Sequence, residues 1–87
     1  MKFKDANFSK EHRFSIGIEE ESNKYYISFP AYNGIVEYEE YYEISQQEYL
    51  DFDTNLSNAL TLLQRCKERK EESRLLYQPS IKRGSPC

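Results

Sequence analysis

Residues 14–44, FSIGIEEESNKYYISFPAYNGIVEYEEYYEI, decide the fold. Phe14, Ile16 and Ile18 alternate with Ser15, Gly17 and Glu19, the two-residue period of a strand with one buried face. Ser22-Asn23 reads as a two-residue turn, and a second strand runs from about residue 24 to 29 or 31. Asn33-Gly34 follows, a strong hairpin signal because both residues tolerate the positive φ of a type I′ turn. A third strand spans residues 35–44.

Two-residue loops fix two registers. The second hairpin sets Tyr32 against Ile35, Phe29 against Tyr38 and Tyr25 against Tyr42. The first sets Ile18 against Ile27, Ile16 against Phe29 and Phe14 against Ala31. Both choices put apolar residues on the same face, and a one-residue slip in either would break that agreement. Two residues fit poorly. Pro30 cannot donate to a ladder, and Glu40 falls on the core face by parity, at a rim or a bulge.

Working outward, residues 1–11 are polar with isolated Phe3 and Phe8, and either add a fourth strand or stay loose. Downstream, Ser45-Gln46-Gln47-Glu48 matches a capping box, which starts a helix at about Gln46. Tyr49, Phe52, Leu56, Ala59, Leu63 and Cys66 then recur every three or four residues, a stripe suited to cover the apolar sheet face. Asp53-Thr54-Asn55 are poor interior helix residues and good caps, so a break is expected there, with one uninterrupted helix as the alternative. The later helix should reach about Arg74, supported by a Lys67–Glu71 pair. Ile16, Ile27, Phe29, Tyr38, Leu56 and Leu63 form the expected core. The fold class is α+β: a three-stranded antiparallel meander, open to a fourth strand, packed against C-terminal helix. Residues 1–78 form one domain, and 79–87 a basic tail with Pro and Gly.

At 87 residues there is room for one domain. The net charge of −3 hides an asymmetry: residues 1–53 carry 5 Lys+Arg against 12 Asp+Glu, and residues 54–87 carry 7 against 3. Phosphates demand positive charge, so the acidic sheet half argues against nucleic acid as main partner. The basic stretch Arg65, Lys67, Arg69, Lys70 and Arg74 is interrupted by Glu68, Glu71 and Glu72 and reads as a solvated helix end. Cys66 and Cys87 make no disulfide framework, and with no secretory segment or long apolar run the expectation is a reduced, cytoplasmic protein without a membrane span. His12 lacks an orienting partner, and no zinc spacing, phosphate loop or nucleophile arrangement occurs, so no catalytic residue, cofactor or metal is assigned.

The sheet face opposite the core should carry Glu19, Tyr26, Glu37, Glu39, Tyr41 and Glu43, with Tyr26 opposite both Tyr41 and Glu19. Such a face serves either solubility or docking. Docking is favoured because tyrosines are not needed for solubility and the negative charge is concentrated in one element. Tyrosine gives contact area at low entropy cost, and carboxylates steer a cationic partner.

The run Arg13-Phe14-Ser15-Ile16-Gly17-Ile18-Glu19-Glu20-Glu21, then Tyr25-Tyr26-Ile27-Ser28 and Glu37-Tyr38-Glu39-Glu40-Tyr41-Tyr42-Glu43-Ile44, resembles small bacterial immunity proteins of contact-dependent or polymorphic toxin systems. The resemblance is one of type and transfers no specific residue. It implies a protein that binds a cognate toxin, often a nuclease, and blocks it; with the acidic face, the expectation is a non-enzymatic protein that binds a basic partner. The alternatives are a small structural or adaptor subunit of a larger complex, and a small enzyme using the carboxylates.

Overall fold

The computed structural model describes residues 1–76 and 83–87. Four strands form an antiparallel meander in chain order: β1 (Phe3–Ser9), β2 (Phe14–Glu19), β3 (Lys24–Tyr32) and β4 (Glu37–Ile44). A two-residue β5 (Ser85–Pro86) pairs with β3 at Ala31 and Tyr32. Helices α1 (Gln46–Thr54) and α2 (Leu60–Lys67) follow the meander, with 3-10 turns at Leu56–Ala59 and Glu72–Arg74. The fold is α+β, and the N-terminal segment does supply a fourth strand.

Both hairpins close with four-residue loops where two-residue loops were expected. Ile16 lies opposite Ile27, Ile27 opposite Tyr42, Phe29 opposite Glu40 and Ala31 opposite Tyr38. Each register is thus displaced by two residues from the expected one. Side chains repeat every two residues, so every residue keeps its face while every cross-strand neighbour changes. The cause is local side-chain chemistry. In the second loop, Asn33 Oδ1 accepts from the N–H groups of Ile35 and Val36, both at 2.9 Å. Only Gly34 of the Asn-Gly pair has a positive φ, +92°, so the type I′ turn does not form. In the first loop, the Glu19 carboxylate accepts from Glu21 N–H (3.1 Å), Ser22 N–H (2.9 Å) and Ser22 Oγ (2.6 Å).

The core lies between the sheet and the helices. Phe14, Ile16, Ile27, Phe29, Tyr42 and Ile44 come from the sheet, and Phe52, Ala59, Leu63 and Cys66 from the helical half. Four of the six expected core residues are buried; Leu56 is half-buried and packs against the core, while Tyr38, also half-buried, lies outside it and bonds Glu40 and Gly84. Phe29 stacks on Tyr42 with ring centroids 5.4 Å apart.

The capping box forms: Ser45 Oγ accepts from Glu48 N–H (3.0 Å), and the Glu48 carboxylate accepts from Ser45 N–H (2.8 Å). The break also forms, with Asn55 closing α1 and capping the next turn through Oδ1 to Ser57 N–H. The later helix stops at Lys67, not near Arg74. Arg69 takes φ +60°, Lys70 N–H bonds to Arg65 O (2.9 Å) and Arg69 N–H to Cys66 O (3.1 Å). That is a Schellman termination with arginine where glycine is usual. The left-handed residue brings the Arg69 guanidinium to the Gly84 carbonyl. Glu71 therefore leaves Lys67 and pairs with Arg65 (2.7 Å) and Arg74 (2.8 Å).

Both misfits of the sequence find their reason in the C-terminal segment. Pro30 O accepts from Cys87 N–H (3.0 Å). A residue's N–H and C=O point to the same strand edge, so the donor Pro30 lacks faces β5 and not β4. Glu40 is 3% exposed on the core face, neither at a rim nor in a bulge. Its carboxylate accepts from the hydroxyls of Tyr38 and Tyr42, both at 2.8 Å, and from Arg83 at 3.1 and 3.2 Å. Arg83 also binds Glu72. The tail expected at 79–87 is thus held at residues 83–87, while 79–82 lie outside the described residues. Among the described residues, no helix is long and apolar enough to cross a membrane.

Candidate partner-binding surface

Parity places all six candidate residues on the sheet face away from the helices, but cover decides which of them reach solvent. Phe3 of β1 stands opposite Glu19 and folds its ring over that face. It stacks on Tyr41 (centroids 3.6 Å apart, 11° between planes) and meets the Tyr26 ring edge-on at 5.3 Å. Tyr26 is 0% exposed and its hydroxyl donates to Asp5 (2.6 Å). Its ring occupies the space above Gly17, where a Cβ would come within 2.6 Å of Oη. Tyr26 is therefore the centre of a second small core and offers no contact surface. It lies opposite Glu43, not Tyr41.

Glu19 is likewise withdrawn, at 1% exposure. Its carboxyl is lowered to about 2, first by the Ser22 hydroxyl and then by the Lys2, Glu21 and Ser22 amides, with burial opposing. It is a turn-closing carboxylate facing Lys24 and Phe3, not Tyr26.

Four candidates remain accessible: Glu37, Glu39, Tyr41 and Glu43. Glu43 pairs with Lys24 at 3.7 Å and Glu37 with Arg13 at 3.6 Å, both pairs about half-exposed. Exposed pairs of this kind are worth about 0–1 kcal/mol and exchange easily for a partner's cation. The Cys87 thiol also reaches Glu37, at 3.5 Å. Burial and the nearby charges of Asp5 and Glu37 push the Glu39 carboxyl up, with Ser28 and Arg13 opposing. Ser28 Oγ is itself buried and makes no hydrogen bond of ordinary geometry.

Sequence reasoning missed Asp5, Phe8 and Arg13, which belong to this surface. A register shift between Asp5 and Asn7 breaks the alternation of β1, so Phe3 and Phe8 reach one face from odd and even positions. With Phe14, Ser15, Pro30, Glu37 and Glu39, the residues Phe8 and Arg13 line a recess of about 210 Å³ at one end of the face.

The second cluster of charge has a different character. Burial pushes the Glu40 carboxyl up, but Arg83 and the hydroxyls of Tyr38 and Tyr42 outweigh it, and the net direction is down. A carboxylate saturated by donors and held ionised is a poor base, and this cluster serves the fold. The Cys66 thiol is buried and pushed up to about 12, so it is a core residue and not a nucleophile. Among the described residues, no group of His, Cys, Asp or Glu is placed to hold a metal ion. Compared with protein-family models, curated proteins and solved structures, the chain gives no match.

Proposed function

We propose that this is a non-enzymatic binding protein that recognises a basic protein through the accessible part of its acidic sheet face, in the manner of an immunity protein that blocks a cognate toxin. One observation carries the reading. Asp5, Glu37, Glu39 and Glu43 gather on one face beside Tyr41, and the ion pairs found there come from the half-exposed Arg13 and Lys24. Such a field attracts cations over several ångströms and speeds encounter with a positive surface, such as the cleft of an enzyme that holds phosphates. Glu19 and Tyr26 drop out of the contact set because they are buried.

The test is the triple variant Glu37→Lys, Glu39→Lys, Tyr41→Ala, checked by circular dichroism to be folded. Affinity for the cognate toxin domain, sought among the products of neighbouring genes, should fall by at least ~100-fold, since a buried tyrosine anchor is worth about 2 kcal/mol and reversed charges add to it. Protection of cells producing that domain should be lost. Unchanged affinity and protection would remove this face from consideration.

Glu39 also supports a second reading, because a carboxyl pushed up inside a recess is what acid–base chemistry requires. In that case Glu39→Gln would leave binding of a basic partner intact and abolish turnover. In the binding reading it changes affinity alone.

A further inference from the structure

The tip of the β3–β4 hairpin exposes apolar side chains that the fold does not use. Ile35 is 88% exposed, Val36 45% and the adjoining Tyr32 52%. The tip is nonetheless fixed. Asn33 Oδ1 holds the amides of Ile35 and Val36, and Asn33 N–H bonds to Val36 O at 3.3 Å. An apolar tip with a preset backbone binds at little ordering cost. Val36 leads directly into Glu37, and Glu37 and Glu39 line the recess floored by Phe14 and Pro30, with Phe8 56% exposed at its side.

Resting on the binding reading above, we propose that the contact is centred on this end of the sheet. Ile35 and Val36 are the apolar anchor, and the recess between Phe8 and the Glu37–Glu39 pair receives one arginine or lysine of a protein segment that carries apolar residues beside its cation. Charge selects this occupant. Two carboxylates share the recess, and Arg13, its one cation among the described residues, lies in an exposed pair with Glu37. The incoming cation relieves the like-charge contact of Glu39 with Glu37 and Asp5 and displaces Arg13. The same carboxylates repel an anionic lipid surface, so a membrane is not the occupant.

The experiment uses the full chain, labelled with ¹⁵N, and two synthetic peptides, acetyl-Leu-Arg-Leu-Arg-Leu-amide and its glutamate counterpart. The arginine peptide should shift the amides of Phe8, Arg13, Ile35, Val36, Glu37 and Glu39, with binding that weakens several-fold between roughly 0.05 and 0.5 M salt. Ile35→Ser, a substitution at a solvent-exposed position, should weaken it about tenfold, as loss of an apolar anchor does. The glutamate peptide should shift nothing, and vesicles containing phosphatidylglycerol should not sediment the protein. Shifts centred on Tyr41, Glu43 and Lys24, indifferent to Ile35→Ser, would overturn this placement and leave the acidic-face reading standing. Equal response to both peptides, or vesicle binding lost in Ile35→Ser, would overturn the choice of occupant. Silence with both peptides would overturn the proposal, while the affinity of the triple variant for a toxin domain tests the face as a whole, Tyr41 included.

Discussion

The two faces of the sheet obey the same alternation and meet different fates. The helix side buries Phe14, Ile16, Ile27, Phe29, Tyr42 and Ile44 under the helical half. Among the described residues no helix lies on the opposite side, and the ring of Phe3 covers it at one end. Each face also buries one glutamate, by different means. Glu40 is neutralised by a distant arginine and two tyrosines, while Glu19 is satisfied by its own turn and the amide of Lys2. Parity settles which way a side chain points; burial depends on what the chain later lays over it.

Four measurements test this contrast. The largest effect belongs to the helix side. Phe29→Ala should cost about 3–5 kcal/mol in urea unfolding, because the vacated ring leaves a cavity against Tyr42. A loss near that of a surface substitution would mean that the helices do not cover this face.

Arg83→Met should cost about 3 kcal/mol, since it strands a buried carboxylate. In a Glu40→Gln background the same change should cost far less. Equal costs in the two backgrounds would show that Glu40 and Arg83 are not coupled.

On the opposite side, Phe3→Ala should cost about 2 kcal/mol and speed hydrogen exchange of the Tyr26 and Tyr41 amides, because one aromatic ring does the covering. A change confined to the exchange of β1 itself would show that Phe3 does not cover Tyr26 and Tyr41.

The smallest effect is read against pH. The Glu19 carboxyl lies at about 2 when folded, against its usual 4.5. Its bonds therefore add stability that is complete above about pH 4.5 and is lost as pH falls towards 2. Glu19→Gln should lower the melting temperature at pH 7 and flatten its acid dependence in that window. A parallel drop at every pH would assign the loss to packing alone.

Most of the architecture is legible in the chain. Alternation gives the meander and its faces, Ser45–Glu48 gives the start of α1, and Asn55 its end. The registers are not legible. The Asn33 and Glu19 side chains satisfy loop amides that a two-residue turn would leave to the ladder, and propensity does not count such bonds. The end of α2 is hidden for a related reason: a left-handed arginine stands where a glycine would have announced it. In the candidate surface, Glu37, Glu39, Tyr41 and Glu43 follow from parity. Tyr26 and Glu19 were lost to long-range cover by Phe3 and to the chain's own turn. Glu40 reads as a misfit until Arg83 is placed, 43 residues away.

That separation has a consequence for how the protein is made. Chains emerge from the ribosome N-terminus first, at about 5–20 residues per second, so Glu40 precedes its arginine by roughly 2–9 s. Through that interval the Glu40 carboxylate has water and the neighbouring tyrosine hydroxyls to meet its charge, and no arginine. Burial of Glu40 with its charge met by Arg83 therefore waits until all four strands of the meander have been synthesised.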